Sequence, residues 1–262
     1  MGKAARQQQD EAAQAVPRDV TSFIRYADYL AHLIETAPKQ TKGERTRDKL
    51  KFGAIQVLDE VGYHAMRVSD ICDAAGVAAA TFYLYFDNKE QVTSVVLGEC
   101  LEASMKMMAT RHSGKSAFEA IRASNMKWVQ VTAANAGLMR CILQLGDEVE
   151  EFRNLSNAAN KKWYERIAQS ILREHGTALP HDVALLSAYA LGSMMDELAR
   201  KLLIHPDPAL VDLQLRVAPS HEDLADYLSV LWHQALYGRI PADIDLRPAA
   251  AAATALVGRD PG

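Results

Sequence analysis

Residues Thr46 to Val92 read TRDKLKFGAIQVLDEVGYHAMRVSDICDAAGVAAATFYLYFDNKEQV. The first helical pattern in this region starts near Lys42, and Leu50, Ala54, Ile55, Leu58 and Val61 form its apolar stripe. Gly62 is placed to end it as a C-cap. A shorter pattern covers Val68 to Ala75 and closes at Gly76; a third, rich in aromatic residues, runs from about Ala78 to Phe86. Asp87 and Glu90 then have capping-box spacing for a fourth helix, from Asn88 to about Arg111. Three short helices with a tight Ala-Gly-Val turn before the third are the build of a helix-turn-helix, whose last helix lies in the major groove of DNA.

Charge is arranged to suit. The whole chain carries −4, which argues against polyanion binding over its entire surface. Between Pro38 and Lys51, however, Lys39, Lys42, Arg45, Arg47, Lys49 and Lys51 face only Glu44 and Asp48, a local charge of +4 that leaves −8 for the rest. Screening confines exposed charges to a reach of about 10 Å, so such a patch acts locally.

The chemistry of the third segment follows from its spacing. Gly76 allows the left-handed backbone of a tight turn. Val77, Phe82 and Phe86 can pack the recognition helix inward, which turns Thr81, Tyr83, Leu84 and Tyr85 outward or sideways. The tyrosine hydroxyls can donate to phosphates. Lys89 offers its charge together with a helix N-terminus. Ala78, Ala79 and Ala80 cannot hydrogen-bond a guanine edge, but they can touch thymine methyls, which shifts weight to backbone contacts and DNA shape. Arg45, Thr46 and Arg67 complete the expected DNA-contacting set.

Residues 44–92 resemble the DNA-binding domain of the tetracycline-repressor (TetR) family. The likeness rests on Gly62-Tyr63, Ile71, Ala74-Ala75-Gly76-Val77, and above all Thr81-Phe82-Tyr83-Leu84-Tyr85-Phe86 followed by Asn88-Lys89-Glu90. These motifs cover about a fifth of the chain, and the rest agrees in length and helical layout. The chain departs from the family pattern at the three alanines and at Met66-Arg67, where the family often has a capping Thr. The resemblance implies a homodimeric regulator of transcription, usually a repressor, with double-stranded operator DNA as partner and a helical domain that dimerises and holds a small molecule.

The expected fold is therefore all-α. Residues 1–19 are polar and read as a disordered tail, and 20–37 as an extension helix that packs on the next domain or clamps DNA or a dimer. The helix-turn-helix domain occupies 38–92, a helical regulatory and dimerisation domain 93–240, and a flexible tail 241–262. The fourth helix bridges the two domains, and the charge pattern changes beyond His112-Ser113-Gly114. Further helical patterns fall at about Ser116–Ala134, Ala136–Leu145, Val149–His175, His181–His205 and Ser220–Tyr237. Leu185, Ala188, Tyr189, Gly192 and Met195, with Leu224, Leu228, Leu231 and Ala235, are expected to form a four-helix dimer seam.

A ligand pocket is expected between the helices at 116–175, lined by Asn125, Met126, Trp128, Met139, Leu143, Phe152, Trp163 and Tyr164, with Tyr189 from a later helix. None of these is charged, which points to a largely apolar effector. Asn125 interrupts an apolar stripe and needs a hydrogen-bond partner if buried. No phosphate loop, nucleophile elbow or metal-ligand spacing occurs, and the histidines are scattered singly, so neither an enzyme nor a cofactor is expected. The other reading is a helical protein-interaction adaptor whose DNA module is degenerate. Cys72, Cys100 and Cys141 lack redox or zinc spacing and read as buried thiols of a cytoplasmic chain. The N-terminus has no signal-peptide core and no apolar run spans a bilayer, so no membrane partner is expected.

Overall fold

The computed structural model describes residues 19–36, 40–109, 116–175, 179–238, 240 and 243–254. Among these, the architecture is all-α. Helix α1 spans Tyr26–Thr36, α2 Lys42–Ala65, α3 Val68–Ala75, α4 Ala79–Phe82 and α5 Lys89–Met107. Then follow α6 Ala117–Ala134, α7 Ala136–Glu148, α8 Glu150–His175, α9 His181–Ala199, α10 Pro208–Val217, α11 His221–Tyr237 and α12 Pro248–Ala253. Helix α11 packs along α6, α9 along α8, and α7 bridges α2 and α8. No described helix is long and apolar enough to cross a membrane.

Local chemistry places several boundaries. Thr41 caps α2, its hydroxyl accepting from the Glu44 N–H while the Glu44 carboxylate accepts from the Thr41 N–H. Gly62 does not end α2 as expected; at φ 77 it kinks the helix, which runs one further turn to Ala65. The cap of α5 is Asn88, whose side chain accepts from the Gln91 N–H at 2.8 Å, one residue later than the Asp87–Glu90 spacing predicts.

Three elements differ from expectation. The extension is not one helix from Val20: a single 3-10 turn at Val20–Ser22 precedes an extended link into α1. There the Asn135 side chain accepts from the Tyr26 N–H at 2.8 Å and donates to the Ile24 carbonyl at 2.7 Å, replacing helical bonds. Helix α10 occupies a stretch without an expected helix; Asp207 caps it and Pro208 opens it, which suits a first turn. The C-terminal stretch is also ordered through Ala253. Arg247 donates its backbone N–H to Asp226 and its guanidinium to Asp223, and Ala250 is fully buried. The expected tail at 1–18, the boundary at His112-Ser113-Gly114 and the end of the chain from 255 lie outside the described residues.

The main core crosses the expected domain boundary. Leu50, Ile55, Phe82 and Phe86 of the helix-turn-helix share one apolar cluster with Val96 and Leu97 of α5 and with Leu138, Ile142 and Leu145 of α7. A continuous core transmits displacement, because close-packed interiors yield little.

Candidate DNA interface and ligand cavity

Helices α2, α3 and α4 cross as a compact unit. A methyl on Gly53 would sit 2.8 Å from the Ile71 carbonyl oxygen, so glycine permits the close crossing of α2 and α3. Gly76 turns the chain at φ 65, and its N–H bonds the carbonyls of Cys72 and Asp73. Helix α4 is then a single turn. Ala78 provides no side-chain cap, and the chain leaves by tightened bonds, Leu84 N–H to Thr81 O at 3.2 Å and Tyr85 N–H to Phe82 O at 2.9 Å.

Phe82 and Phe86 are buried as expected, which sends the intervening side chains outward. Ala79, Ala80 and Arg67 are exposed, and Tyr83 and Leu84 are 60% and 79% exposed. Thr81 and Tyr85 are half-buried; the Tyr85 ring lies beside Gly43 at the start of α2. Arg45 is exposed, whereas Thr46 is half-buried and donates its hydroxyl to the Lys42 carbonyl.

Two basic residues have structural partners. The Lys89 ammonium donates to the carbonyls of Tyr63 and Met66, both at 3.1 Å, and lies 4.6 Å from the Tyr63 ring centroid. It thus holds the start of α5 to the kinked end of α2, leaving one of three donors for a phosphate. Lys51 does not belong to the exposed basic patch. It is buried, pairing with Asp48 at 2.9 Å and Glu99 at 3.0 Å. Glu99 also accepts from the Tyr26 hydroxyl at 2.8 Å.

A cavity of about 950 Å³ opens among α5, α6, α7, α8, α9 and α11. Asn125, Trp128, Met139, Leu143, Trp163 and Tyr164 are among the residues that line it. Met126, Phe152 and Tyr189 do not; they pack into the apolar clusters behind the wall. Asn125 finds its partner in Ser229, its side-chain amide donating to the hydroxyl at 3.1 Å. Leu101, Ser104 and Met105 of α5, and Met108 just beyond its end, also border the cavity.

The expectation of an uncharged wall fails. Asp196, Arg166, Arg173, Glu174, Glu197 and Arg200 also border the cavity. Their sequence context reads as the solvated side of amphipathic helices, and only the packing of α8 against α9 brings them to one hollow. The Tyr164 hydroxyl donates to Asp196 at 2.7 Å. Asp196 is accessible and borders the cavity, and surrounding protein desolvates it enough to raise its carboxyl above the usual aspartate value. Burial also drives the Tyr164 phenol up, reinforced by the Asp196 charge, so it remains a donor.

The expected dimer seam is partly internal. Ala188, Gly192, Met195 and Leu228 are buried within the single chain, with Gly192 directly under the Tyr164 ring. The surface of α9 instead presents Val183, Leu186, Ala190 and Met194, all exposed and on one helical stripe. The sequence pattern contained this stripe too, rotated from the one chosen.

Helices α2 to α4, with an outward-facing recognition turn and exposed cations beside it, define a helix-turn-helix DNA-binding module. Residues 53–94 match the sequence profile of bacterial regulatory proteins of the tetR family. An uncharacterized HTH-type transcriptional regulator, YvdT of Bacillus subtilis, is 35% identical over 81 residues, 31% of this chain and 41% of that protein. The fatty acid metabolism regulator protein of the same organism is 54% identical over 39 residues, 15% of this chain and 20% of that protein. The matched stretches thus span less than half the length of these relatives. The fatty acid degradation regulator FadR of Bacillus halodurans superposes with a TM-score of 0.55 at 21% identity, covering 80% of this chain and all of that one; this is a likeness of fold. The helix-turn-helix segment is thus similar in sequence to the DNA-binding domain of the tetR family, and the fold as a whole is like that of FadR.

Proposed function

We propose that the protein is a cytoplasmic, homodimeric transcriptional regulator, a repressor released from a palindromic operator by a hydrophobic small molecule. The observation that carries this reading is the course of α5. It begins at Lys89, bonded to the helix-turn-helix, and its other end lines the cavity with Leu101, Ser104 and Met105. An occupant that displaces this end tilts the helix and changes the separation of two recognition helices in a dimer. Each would enter a half-site, the two about 34–36 Å or somewhat more apart. Tyr83, Thr81, Leu84 and the exposed alanines would meet the groove; Arg45, Arg67, Tyr85 and the remaining donor of Lys89 would meet phosphates.

The apolar stripe of α9 supports the dimer, since a row of exposed Val, Leu and Met is a natural site for a second copy. The size and aromatic lining of the cavity support an aromatic, acyl or polycyclic effector, and the names of two relatives, regulators of fatty acid metabolism and degradation, favour the acyl choice. A ligand releases DNA only if it prefers the DNA-incompetent arrangement, and a tenfold loss of affinity needs about 1.4 kcal/mol of preference.

The test is a gel shift on DNA upstream of the protein's own gene, titrated with hydrophobic compounds that are also scored by thermal shift. Compounds that raise the melting temperature are expected to release DNA, and Trp163→Ala to weaken both effects while sparing ligand-free DNA binding. Stabilisation without release would leave a pocket but no switch.

A further inference from the structure

Asp196 stands on the cavity wall without a counter-ion. The two cations nearest in sequence are engaged elsewhere: Arg200 binds Glu197 at 2.6 Å, and Lys201 lies 3.6 Å from the same carboxylate. Among the described residues no Lys, Arg or His forms an ion pair with Asp196. Its one side-chain partner is the Tyr164 hydroxyl, so most of its acceptor capacity is unused. The walls around it are aromatic. Tyr164 lies against Tyr189 with ring centroids 4.5 Å apart, and Trp163 and Trp128 line the same hollow.

The arginines of the wall do not balance this charge. Arg166 is exposed and lies 5.7 Å from the Trp163 ring centroid; Arg173 is exposed and donates to Ser170 at 2.9 Å. An accessible carboxylate on a cavity wall with no cation paired to it offers a ligand's positive charge a partner. Aromatic faces beside a carboxylate add the attraction of their ring quadrupoles for a cation.

We propose that the cavity binds an amphiphilic cation, its positively charged head against Asp196 and the aromatic wall and its apolar tail among Leu101, Met105, Met139 and Leu143. This deepens the effector reading above and rests on it. It sets the head group apart from the carboxylate of a free fatty acid, which Asp196 would repel. Tyr164, held by its packing under Gly192, orients the carboxylate.

The test is isothermal titration calorimetry of the whole protein with three probes of equal tail length: decyltrimethylammonium, 1-decanol and decanoate. The ammonium compound is expected to bind at least about tenfold more tightly than decanoate, a difference of about 1.4 kcal/mol. Asp196→Asn keeps an acceptor for Tyr164 and is expected to remove that advantage while leaving 1-decanol binding unchanged. Tighter binding of decanoate, or an unaltered ammonium affinity in Asp196→Asn, overturns the head-group assignment while the cavity reading survives through 1-decanol. Failure of all three probes to bind removes the cavity as an effector site and this inference with it.

Discussion

The Tyr26 hydroxyl and the Glu99 carboxylate lie 2.8 Å apart, although 73 residues separate them in the chain. Lys51 approaches the same carboxylate from α2 at 3.0 Å. One acidic side chain of α5 therefore holds both the N-terminal extension and the first helix of the DNA-binding module. Burial, reinforced by the charge of Glu99, drives the Tyr26 phenol far above its usual range, so it stays a donor. The extension helix is thus packed onto the molecule as a strap at the junction of its two parts.

Removing that hydroxyl with Tyr26→Phe should cost about 1.5–3 kcal/mol, the scale of a hydrogen bond to a charged acceptor. Asn135→Ala should cost more, because the buried Tyr26 N–H and the Ile24 carbonyl both lose their partner. Thermal or urea unfolding of the two variants measures this. Equal stability of Tyr26→Phe and the parent would show that the contact contributes nothing.

DNA binding should separate two kinds of cation. Arg45 is exposed and makes no side-chain bond that needs replacing, so Arg45→Ala should reduce the salt slope of operator binding by about one unit and leave the melting temperature unchanged. Lys89→Ala should lower both, because two backbone carbonyls lose their donor. Titrations at several salt concentrations, paired with thermal melts, distinguish the cases. Loss of stability in Arg45→Ala would contradict its placement.

Assembly should depend on the α9 stripe. Leu186 is 71% exposed, so Leu186→Glu should give a folded monomer with weakened operator binding. Leu228 is 2% exposed within the chain, and Leu228→Glu should unfold the protein instead of merely dissociating it. Light scattering and circular dichroism of both variants decide the point; a folded dimer of Leu186→Glu would place the seam elsewhere.

The C-terminal helix should loosen in acid. The Ser220 hydroxyl and then the Arg247 guanidinium hold the Asp223 carboxyl below its ordinary 3.8. For an acid whose folded pKa is depressed, the stabilisation is fully present above the unfolded value and disappears as pH falls through the folded one. Amide exchange of α12, followed by mass spectrometry, should therefore rise below about pH 4 before the core opens. Asp223→Asn should show faster exchange already at neutral pH and no further acid step. Protection that is independent of pH in the parent would exclude this lock.

The DNA-binding module was legible in the amino-acid sequence because its information is local. Gly76 needs only its own backbone, the Phe82–Phe86 spacing is one helical turn, and Tyr83 and Leu84 face outward because their neighbours face inward. The helical class and most boundaries followed from the same short-range periodicity. Partnerships across the chain were not legible. Lys51 counted toward the basic patch until Glu99, 48 residues away, took its charge, and Lys89 looked free until the kink at Gly62 aimed two carbonyls at it. Nothing in the sequence marked Asp196; the packing of α8 against α9 made it part of a cavity wall. Likewise two apolar stripes compete on α9, and which one is buried depends on where Tyr164 packs. Hydrogen-bond spacing and turn geometry are written residue by residue, whereas the meaning of a charge or an apolar face depends on what the folded chain brings opposite it.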